Sequence, residues 1–245
     1  MISVNDNVNV NGRTRSEEIR RLLLARNVKR LCHLTQINNL ISILYGEEGV
    51  WATDFIDEDN LFRNDTERLD GKTDYISTSI EYPNVWYYRN KKYANPEVSE
   101  WAILFIDPIV CELETSLFCP VNAATSHGAY IGREYQQLYK MFSSDLGNRK
   151  RTVNMLSCCP TDDQAEVLIY KNIPTKYISG IAFEREHTMK AFKDLFEKYN
   201  VAYPDLYVSN ELFGTAMSSK VRMGLRPDEK LMIKGGEKWH QDLCS

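Results

Sequence analysis

The spacing of apolar residues along the chain predicts several amphipathic helices. Residues 13–30 carry Ile19, Leu22, Leu23 and Leu24 among Glu and Arg, and this spacing is typical of a helix with one apolar face. The same criterion predicts three further helices, in residues 36–44, 133–142 and 187–199.

A second pattern, with a period of two residues, predicts strands. Residues 74–80 alternate between apolar and hydroxyl side chains, as expected for a half-buried strand. Trp101–Ile106 is a continuous apolar run bounded by Pro108, which predicts a fully buried strand. Further strands are predicted in residues 31–35, 50–53, 164–170, 177–183 and 203–208.

The predicted elements form one α+β domain that spans residues 1–245, because no internal repeat or linker interrupts them. Residues 1–12 are expected to be loosely ordered. Residues 217–245 read as a basic, Gly-containing tail with little capacity to form a core. Residues 54–72 and 117–130 are predicted to be irregular.

Residues 143–160 are predicted to form a long loop. Its positive charge is concentrated in Arg149, Lys150 and Arg151. Loops longer than about 12–15 residues are usually functional or disordered. The whole chain has a net charge of −4 and a pI of about 5.7, so any contact with nucleic acid is expected to depend on such local clusters.

Composition places the chain among soluble globular proteins, with 43% hydrophobic and 26% charged residues. The first residues form neither a basic nor an apolar segment of a secretory signal. No apolar run approaches the ~20 residues needed to span a bilayer. We therefore expect a cytoplasmic protein without a membrane partner.

Cysteine and histidine positions do not predict a metal site. The six Cys residues contain no C-x-x-C pair and the four His residues are scattered, whereas zinc ligands are usually closely spaced. The thiols are expected to be reduced and structural. The adjacent Cys158 and Cys159 are interpreted as packing residues.

Two pairs of polar residues carry candidate chemistry. Gln164 and Glu166 are two positions apart, so on a strand both would point to one face. A carboxylate there could accept a hydrogen bond from a ribose hydroxyl and stabilise an oxocarbenium ion, while the amide orients an acceptor. His33 and Thr35 have the same spacing. Taken singly, each pair more often lies at an ordinary strand edge or core.

Together these residues resemble one family. The chain has His33-Leu34-Thr35 followed by Asn39-Leu40 and Ile43-Leu44, then residues 75–84, and finally Gln164-Ala165-Glu166. In this order the motifs resemble the DarT family of nucleic-acid ADP-ribosyltransferases, which are toxins of toxin–antitoxin and anti-phage systems. The resemblance covers roughly residues 29–183.

The resemblance implies an ADP-ribosyltransferase fold, a split β-sandwich around an NAD cleft with flanking helices. It implies NAD as a substrate, no metal, and Glu166 as the catalytic carboxylate with Arg68, or as second choice Arg63, as the catalytic arginine. The residues expected to bind NAD are His33, Thr35, Asn39, Tyr75, Ser77 and Ser79. The residues expected to bind the nucleic acid are Gln164, Arg149, Lys150 and Arg151.

The acceptor implied is a base of single-stranded DNA. Residues 75–80 and 82–84 differ from the pattern of thymine-modifying members and look more like the guanine-modifying branch, so guanine is favoured. RNA or a protein as acceptor is one alternative, and a catalytically idle module that senses a nucleotide is another. The family also implies a cognate antitoxin, such as a macrodomain protein that removes ADP-ribose.

Overall fold

The computed structural model describes residues 12–56, 69–94, 100–236 and Trp239. The predicted loose segment 1–12 therefore lies, except for Gly12, outside the described residues. The described α-helices are α1 (Arg15–Arg26), α2 (Leu40–Leu44), α3 (Val85–Ala94), α4 (Tyr135–Met141), α5 (Glu186–Lys198) and α6 (Ala216–Arg222). No helix in the described ranges has the length and apolar character that a membrane crossing requires.

Ten strands occur in the described residues, and all but two join one sheet. The strands are β1 (Leu31–Gln36), β2 (Val50–Trp51), β3 (Tyr75–Ile80), β4 (Trp101–Ile106), β5 (Leu117–Cys119), β6 (Glu166–Tyr170), β7 (Asn172–Ile173), β8 (Ile178–Phe183), β9 (Asp205–Val208) and β10 (Lys230–Ile233). The large sheet has the order β10-β9-β8-β4-β1-β3-β6-β5, and β2 pairs with β7. Its neighbours are antiparallel, except that β8 and β9 are parallel.

The large sheet divides between β1 and β3. β1 pairs with β4 along its whole length, from Leu31 opposite Ile106 to Gln36 opposite Trp101. With β3 it pairs only through Leu31 and Cys32, and the other end of β3 pairs with β6 instead. β1 and β3 therefore diverge beyond Cys32 and leave a cleft between two parts of the sheet. This confirms the predicted α+β class.

The hydrophobic core is formed by the apolar segments of the sequence. Every residue of β4 is buried, as its continuous apolar sequence predicts. α1 begins with a capping box formed by Thr14 and Glu17, and it buries Ile19, Leu22 and Leu23. It packs against residues 108–112 and α4, while α5 packs against β8 and β9.

The prediction that residues from 217 onward have little capacity to form a core is wrong. They contain most of α6 and the edge strand β10, and Met217, Val221 and Trp239 are buried. The indole of Trp239 donates a hydrogen bond to the Ile178 carbonyl oxygen (2.8 Å). Few apolar residues suffice here because an edge strand gains backbone hydrogen bonds from its neighbour whatever its side chains are.

Two short elements also differ from expectation. α3 forms in residues 85–94, for which the sequence pattern predicts no helix, and β5 lies within the predicted irregular segment 117–130. β5 is three residues long, too short to show a period in the sequence. The helix predicted over residues 13–30 is the shorter α1, which ends at Asn27 in the left-handed conformation.

The side chain of Arg30 connects Glu229, which directly precedes β10, to Glu81 and Phe105 of the sheet region. Its guanidinium donates two hydrogen bonds to Glu229 (2.6 and 2.5 Å) and one to the Glu81 carbonyl oxygen (2.9 Å), and it lies 3.7 Å from the Phe105 ring centroid. Both partners of the Arg30–Glu229 pair are largely buried.

We expect Glu229→Gln to lower the free energy of unfolding by about 3 kcal/mol, because it leaves a largely buried guanidinium without the carboxylate that pairs with it. Urea denaturation would measure this change. The control is Glu114→Gln in the exposed pair Glu114–Arg133, where little change is expected. Equal effects of the two substitutions would contradict the prediction.

Candidate active site

A cavity of about 1040 Å³ opens at the division of the sheet. Its walls come from β1, β3, the start of β6 and the segments that follow β1 and β5. All the residues predicted to bind NAD line it, together with the predicted catalytic carboxylate: His33, Thr35, Asn39, Tyr75, Ser77, Ser79 and Glu166. Residues up to 133 positions apart in the chain thus meet at one site.

Glu166 is the first residue of β6, and its side chain is held on both oxygens. The residue is buried, with 8% of its surface exposed. Oε2 accepts a short hydrogen bond from the Ser77 hydroxyl, and Oε1 accepts one from the Ala123 backbone N–H (2.9 Å). Donors on both oxygens suit an ionised carboxylate and fix its orientation.

His33, on the other side of the cleft, forms a hydrogen bond with Ser77 as well. Its Nδ1 lies 2.9 Å from the Ser77 carbonyl oxygen. A carbonyl oxygen can only accept, so Nδ1 carries a proton, and in the neutral imidazole Nε2 is then an acceptor. Ser77 therefore connects His33 on β1 to Glu166 on β6.

Thr35 and Asn39 form a second polar pair in the cavity wall. The Asn39 side-chain amide donates a hydrogen bond to the Thr35 hydroxyl oxygen (3.1 Å), and Thr35 is buried. β1 ends at Gln36 and a 3-10 turn follows at Ile37–Asn39, which brings residue 39 back over residue 35. A hydroxyl and an amide are thus held together where β1 ends.

Tyr75 and Ser79 lie at opposite ends of β3. Tyr75 stands opposite Tyr170 of β6, with ring centroids 5.4 Å apart. Burial, and then the charge of Asp74, raises the pKa of the Tyr75 phenol. Ser79 is buried at the joined end of β1 and β3, where its hydroxyl is 3.4 Å from the Cys32 carbonyl oxygen.

Gln164 does not lie on the strand that the sequence predicted for it. β6 begins at Glu166, and Gln164 is in the preceding turn, where its N–H donates to Asp162 Oδ1 (2.9 Å). The same-face argument for Gln164 and Glu166 therefore does not apply. Gln164 is outside the set of described residues that line the cavity.

The three basic residues of the long loop have different surroundings. Arg151 donates to the carbonyl oxygens of Leu156 and Cys159 (both 2.7 Å), and burial lowers its pKa. Arg149 is 3.8 Å from the Asp162 carboxylate. Lys150 has 77% of its side chain exposed, and its Nζ lies 3.7 Å from the Asp145 carboxylate. Arg151 thus stabilises the loop itself, whereas Lys150 faces solvent.

Arg68 and Arg63 lie outside the described residues. No group of three or more His, Cys, Asp or Glu residues suited to a metal ion occurs in the described ranges. Cys158 and Cys159 are buried, in agreement with their interpretation as packing residues.

Several parts of the cavity wall were not predictable from the sequence. The Ala123 N–H is a backbone donor, which any residue other than proline can supply. It follows Asn122, whose side chain accepts from the Ala124 N–H (3.0 Å) in a tight turn. Lys91 of α3 and Trp51 of β2 also line the cavity. The aromatic and basic composition of residues 85–92 was the available signal for Lys91.

A divided α+β sheet with a buried glutamate in its cleft is the arrangement expected of an ADP-ribosyltransferase. Residues 32–214 match the family described as "ssDNA thymidine ADP-ribosyltransferase, DarT". This is more than half of the chain, and the protein belongs to the DarT family. Comparison with curated protein sequences gives no match.

Solved structures agree on the fold. The DarT of Thermus sp. 2.9 in complex with ADP-ribosylated ssDNA is 15% identical, with a TM-score of 0.56 over 77% of this chain and 97% of that one. The same enzyme in complex with NAD+ is 16% identical, with a TM-score of 0.53 over 76% of this chain and 98% of that one. At this identity the likeness establishes the fold alone.

We expect the neutral His33 imidazole to carry its proton on Nδ1, because the Ser77 carbonyl oxygen can only accept. Nitrogen-15 chemical shifts of the imidazole would show this tautomer. His127, which is exposed, serves as the reference for a histidine in solvent. A protonated Nε2 with a bare Nδ1 would contradict the assignment.

Proposed function

We propose that the protein transfers ADP-ribose from NAD to a base of single-stranded DNA, with Glu166 as the catalytic carboxylate. The observation that carries this proposal is the buried Glu166 carboxylate, held by Ser77 and Ala123 in the wall of a cavity that also contains His33, Thr35 and Asn39. Membership of the DarT family supports the reaction, and the NAD+ complex of the Thermus relative supports the donor.

In the proposed reaction the bond between ribose C1′ and the nicotinamide nitrogen breaks, and nicotinamide leaves with the electron pair. Positive charge grows on the ribose, where a fixed carboxylate stabilises it. A nitrogen of the base then bonds to C1′ and loses its proton. Glu166 is the group we assign to receive that proton, which passes on to solvent.

The neighbouring groups suit the rest of NAD. The Thr35–Asn39 pair and His33 Nε2 offer donors and acceptors for ribose hydroxyls. Tyr75 offers an aromatic ring to the nicotinamide. Lys91 lies in the cavity wall, and its ammonium group is placed to bind the pyrophosphate of NAD. Arg68 is the arginine that we assign to catalysis from its place in the family motif.

For the acceptor we favour guanine. Residues 75–84 depart from the thymine-modifying pattern, although the family description names thymidine. A single-stranded substrate avoids the cost of unpairing the base. Lys150 and Arg149 are assigned to the DNA backbone and Gln164 to the acceptor base, whereas Arg151 supports the loop that carries them. A protein that removes ADP-ribose is the antitoxin we expect.

The first test is incubation with NAD and single-stranded oligonucleotides that each contain one type of target base, read by intact mass. We expect one added ADP-ribose on the guanine-containing DNA. Glu166→Gln should lower the rate by about 10²–10³-fold, because it removes the charge that stabilises the ribose cation. Glu184→Gln, a carboxylate outside the cavity lining, is the matched control.

Each other outcome has a definite meaning. Modification of the thymine oligonucleotide alone would overturn guanine and keep the enzyme class. Modification of RNA alone would overturn the DNA acceptor. If the folded wild-type protein modified no nucleic acid, or Glu166→Gln kept full activity, the proposed function or the role of Glu166 would be wrong.

Ser77→Ala is expected to lower the transfer rate by about tenfold or more, because a hydrogen bond to a charged group contributes about 1.5–3 kcal/mol. Single-turnover rates at saturating NAD would measure the effect. Ser179→Ala on β8 removes a hydroxyl whose partner is the Phe105 carbonyl oxygen, and should leave the rate unchanged. A normal rate for Ser77→Ala would show that Ala123 alone orients Glu166.

A further inference from the structure

Four aromatic rings from three segments of the chain form a continuous group beside the cavity, which we call the aromatic platform. Its members are Trp51, Phe55, Tyr170 and Tyr75. Successive ring centroids are 6.4, 5.9 and 5.4 Å apart in that order. Phe55 and Tyr170 are exposed, at 40% and 38%. Core packing therefore accounts for only part of the platform.

The platform extends from the cavity wall to the outer surface. Trp51 and Tyr75 line the cavity, whereas Phe55 and Tyr170 are outside its described lining. Tyr170 is four residues after Glu166 on β6, so the two lie about 13 Å apart along the strand. A ligand on the outer rings is therefore separate from the atoms that react near Glu166.

Two lysines flank the rings. Lys171 Nζ is 5.6 Å from the Trp51 centroid and 5.8 Å from that of Phe55, and Lys72 Nζ is 5.6 Å from the Tyr75 centroid. Neither lysine forms an ion pair with a residue in the described part of the chain. The platform thus combines exposed rings with cations available to an anion.

The backbone fixes this arrangement in place. Lys171 has a φ of +66° in the turn between β6 and β7. Its N–H donates to the Asp74 carbonyl oxygen (3.0 Å), and its own carbonyl oxygen accepts from the Ala52 N–H (2.8 Å). Tyr75 and Tyr170 are direct partners across β3 and β6. The rings are therefore held in position before any ligand arrives.

We infer that the aromatic platform binds the single-stranded DNA beside its reactive base, with a flanking base stacked on Phe55 and Tyr170 and a phosphate near Lys171. Aromatic rings with adjacent cations are the usual means of holding single-stranded nucleic acid without reading its sequence. Nucleotides in a strand are at least about 3.4 Å apart. A distance of about 13 Å therefore corresponds to at most about four positions from the acceptor. The inference rests on the proposed function for the identity of the strand.

The test measures binding of a fluorescent single-stranded oligonucleotide by anisotropy, without NAD, so that no transfer takes place. We expect the Phe55→Leu/Tyr170→Leu double variant, which keeps apolar bulk but has no ring, to weaken the Kd at least about fivefold. Its Kd for NAD, measured by calorimetry, should stay within twofold of wild type. A thermal melt of each variant verifies folding.

Lys171→Met should reduce the slope of log Kd against log salt concentration by about 0.7, the value for one phosphate contact on a single strand. The chain offers a matched control in Lys198 and Tyr199, a cation and ring 5.4 Å apart at the C-terminal end of α5. Lys198→Met and Tyr199→Leu should change neither the slope nor the Kd.

An abasic scan of the oligonucleotide locates the stacked base. Removing one flanking base should weaken binding to the wild type and have no effect on the double variant. An unchanged DNA Kd in the double variant would overturn the inference. So would an equal loss of affinity for DNA and NAD, which would assign the platform to the adenine of NAD.

Failure of this inference is distinguishable from failure of the proposed function. If the wild type modifies DNA and the double variant binds DNA equally well, only the platform is wrong. If the wild type binds DNA through the platform but modifies no nucleic acid, only the proposed reaction is wrong.

Discussion

The site depends on one residue that bonds to both sides of a divided sheet. The Ser77 hydroxyl donates to Glu166 on one side, and its backbone carbonyl oxygen accepts from His33 on the other. Strands β1 and β3 have no backbone pairing at this level, so Ser77 supplies the connection that the sheet lacks. A cavity can open here without separating the carboxylate from the imidazole.

Hydrogen bonds and an ion pair stabilise the end of the cleft at which β1 and β3 pair. Glu81, directly after β3, accepts from the Lys29 N–H (2.8 Å) and donates its own N–H to the Arg30 carbonyl oxygen (2.9 Å). Its φ of +65° is unfavourable for a residue with a side chain, and these bonds hold it there. Arg30 in turn binds Glu229, so the C-terminal segment closes the same end.

Positive side chains lie at particular sites of the protein although its net charge is negative. The chain is acidic as a whole, yet lysines occur at the cavity wall, beside the aromatic platform and on the long loop, at Lys91, Lys171 and Lys150. Lysines at these positions can bind the phosphates of a nucleic-acid backbone. The net negative charge of the protein meanwhile disfavours nonspecific binding to nucleic acid. Such a protein is expected to bind nucleic acid with a marked dependence on salt.

The sequence by itself determined the buried strand β4, the main helices and the positions of His33, Thr35 and Glu166 in a family motif. Periodicity reports burial and a motif reports side chains, and both can be read within a short stretch of chain. It did not determine the edge elements β5 and β10, because pairing at a sheet edge leaves little pattern.

Only the tertiary structure decided how the site is connected. The bonds from His33 to Ser77, from Ser77 to Glu166 and from Ala123 to Glu166 join residues 44, 89 and 43 positions apart. Two of them use backbone groups, which are the same in every residue and leave no trace in the sequence. The aromatic platform likewise exists only because the β6–β7 turn and β2 bring separate rings together.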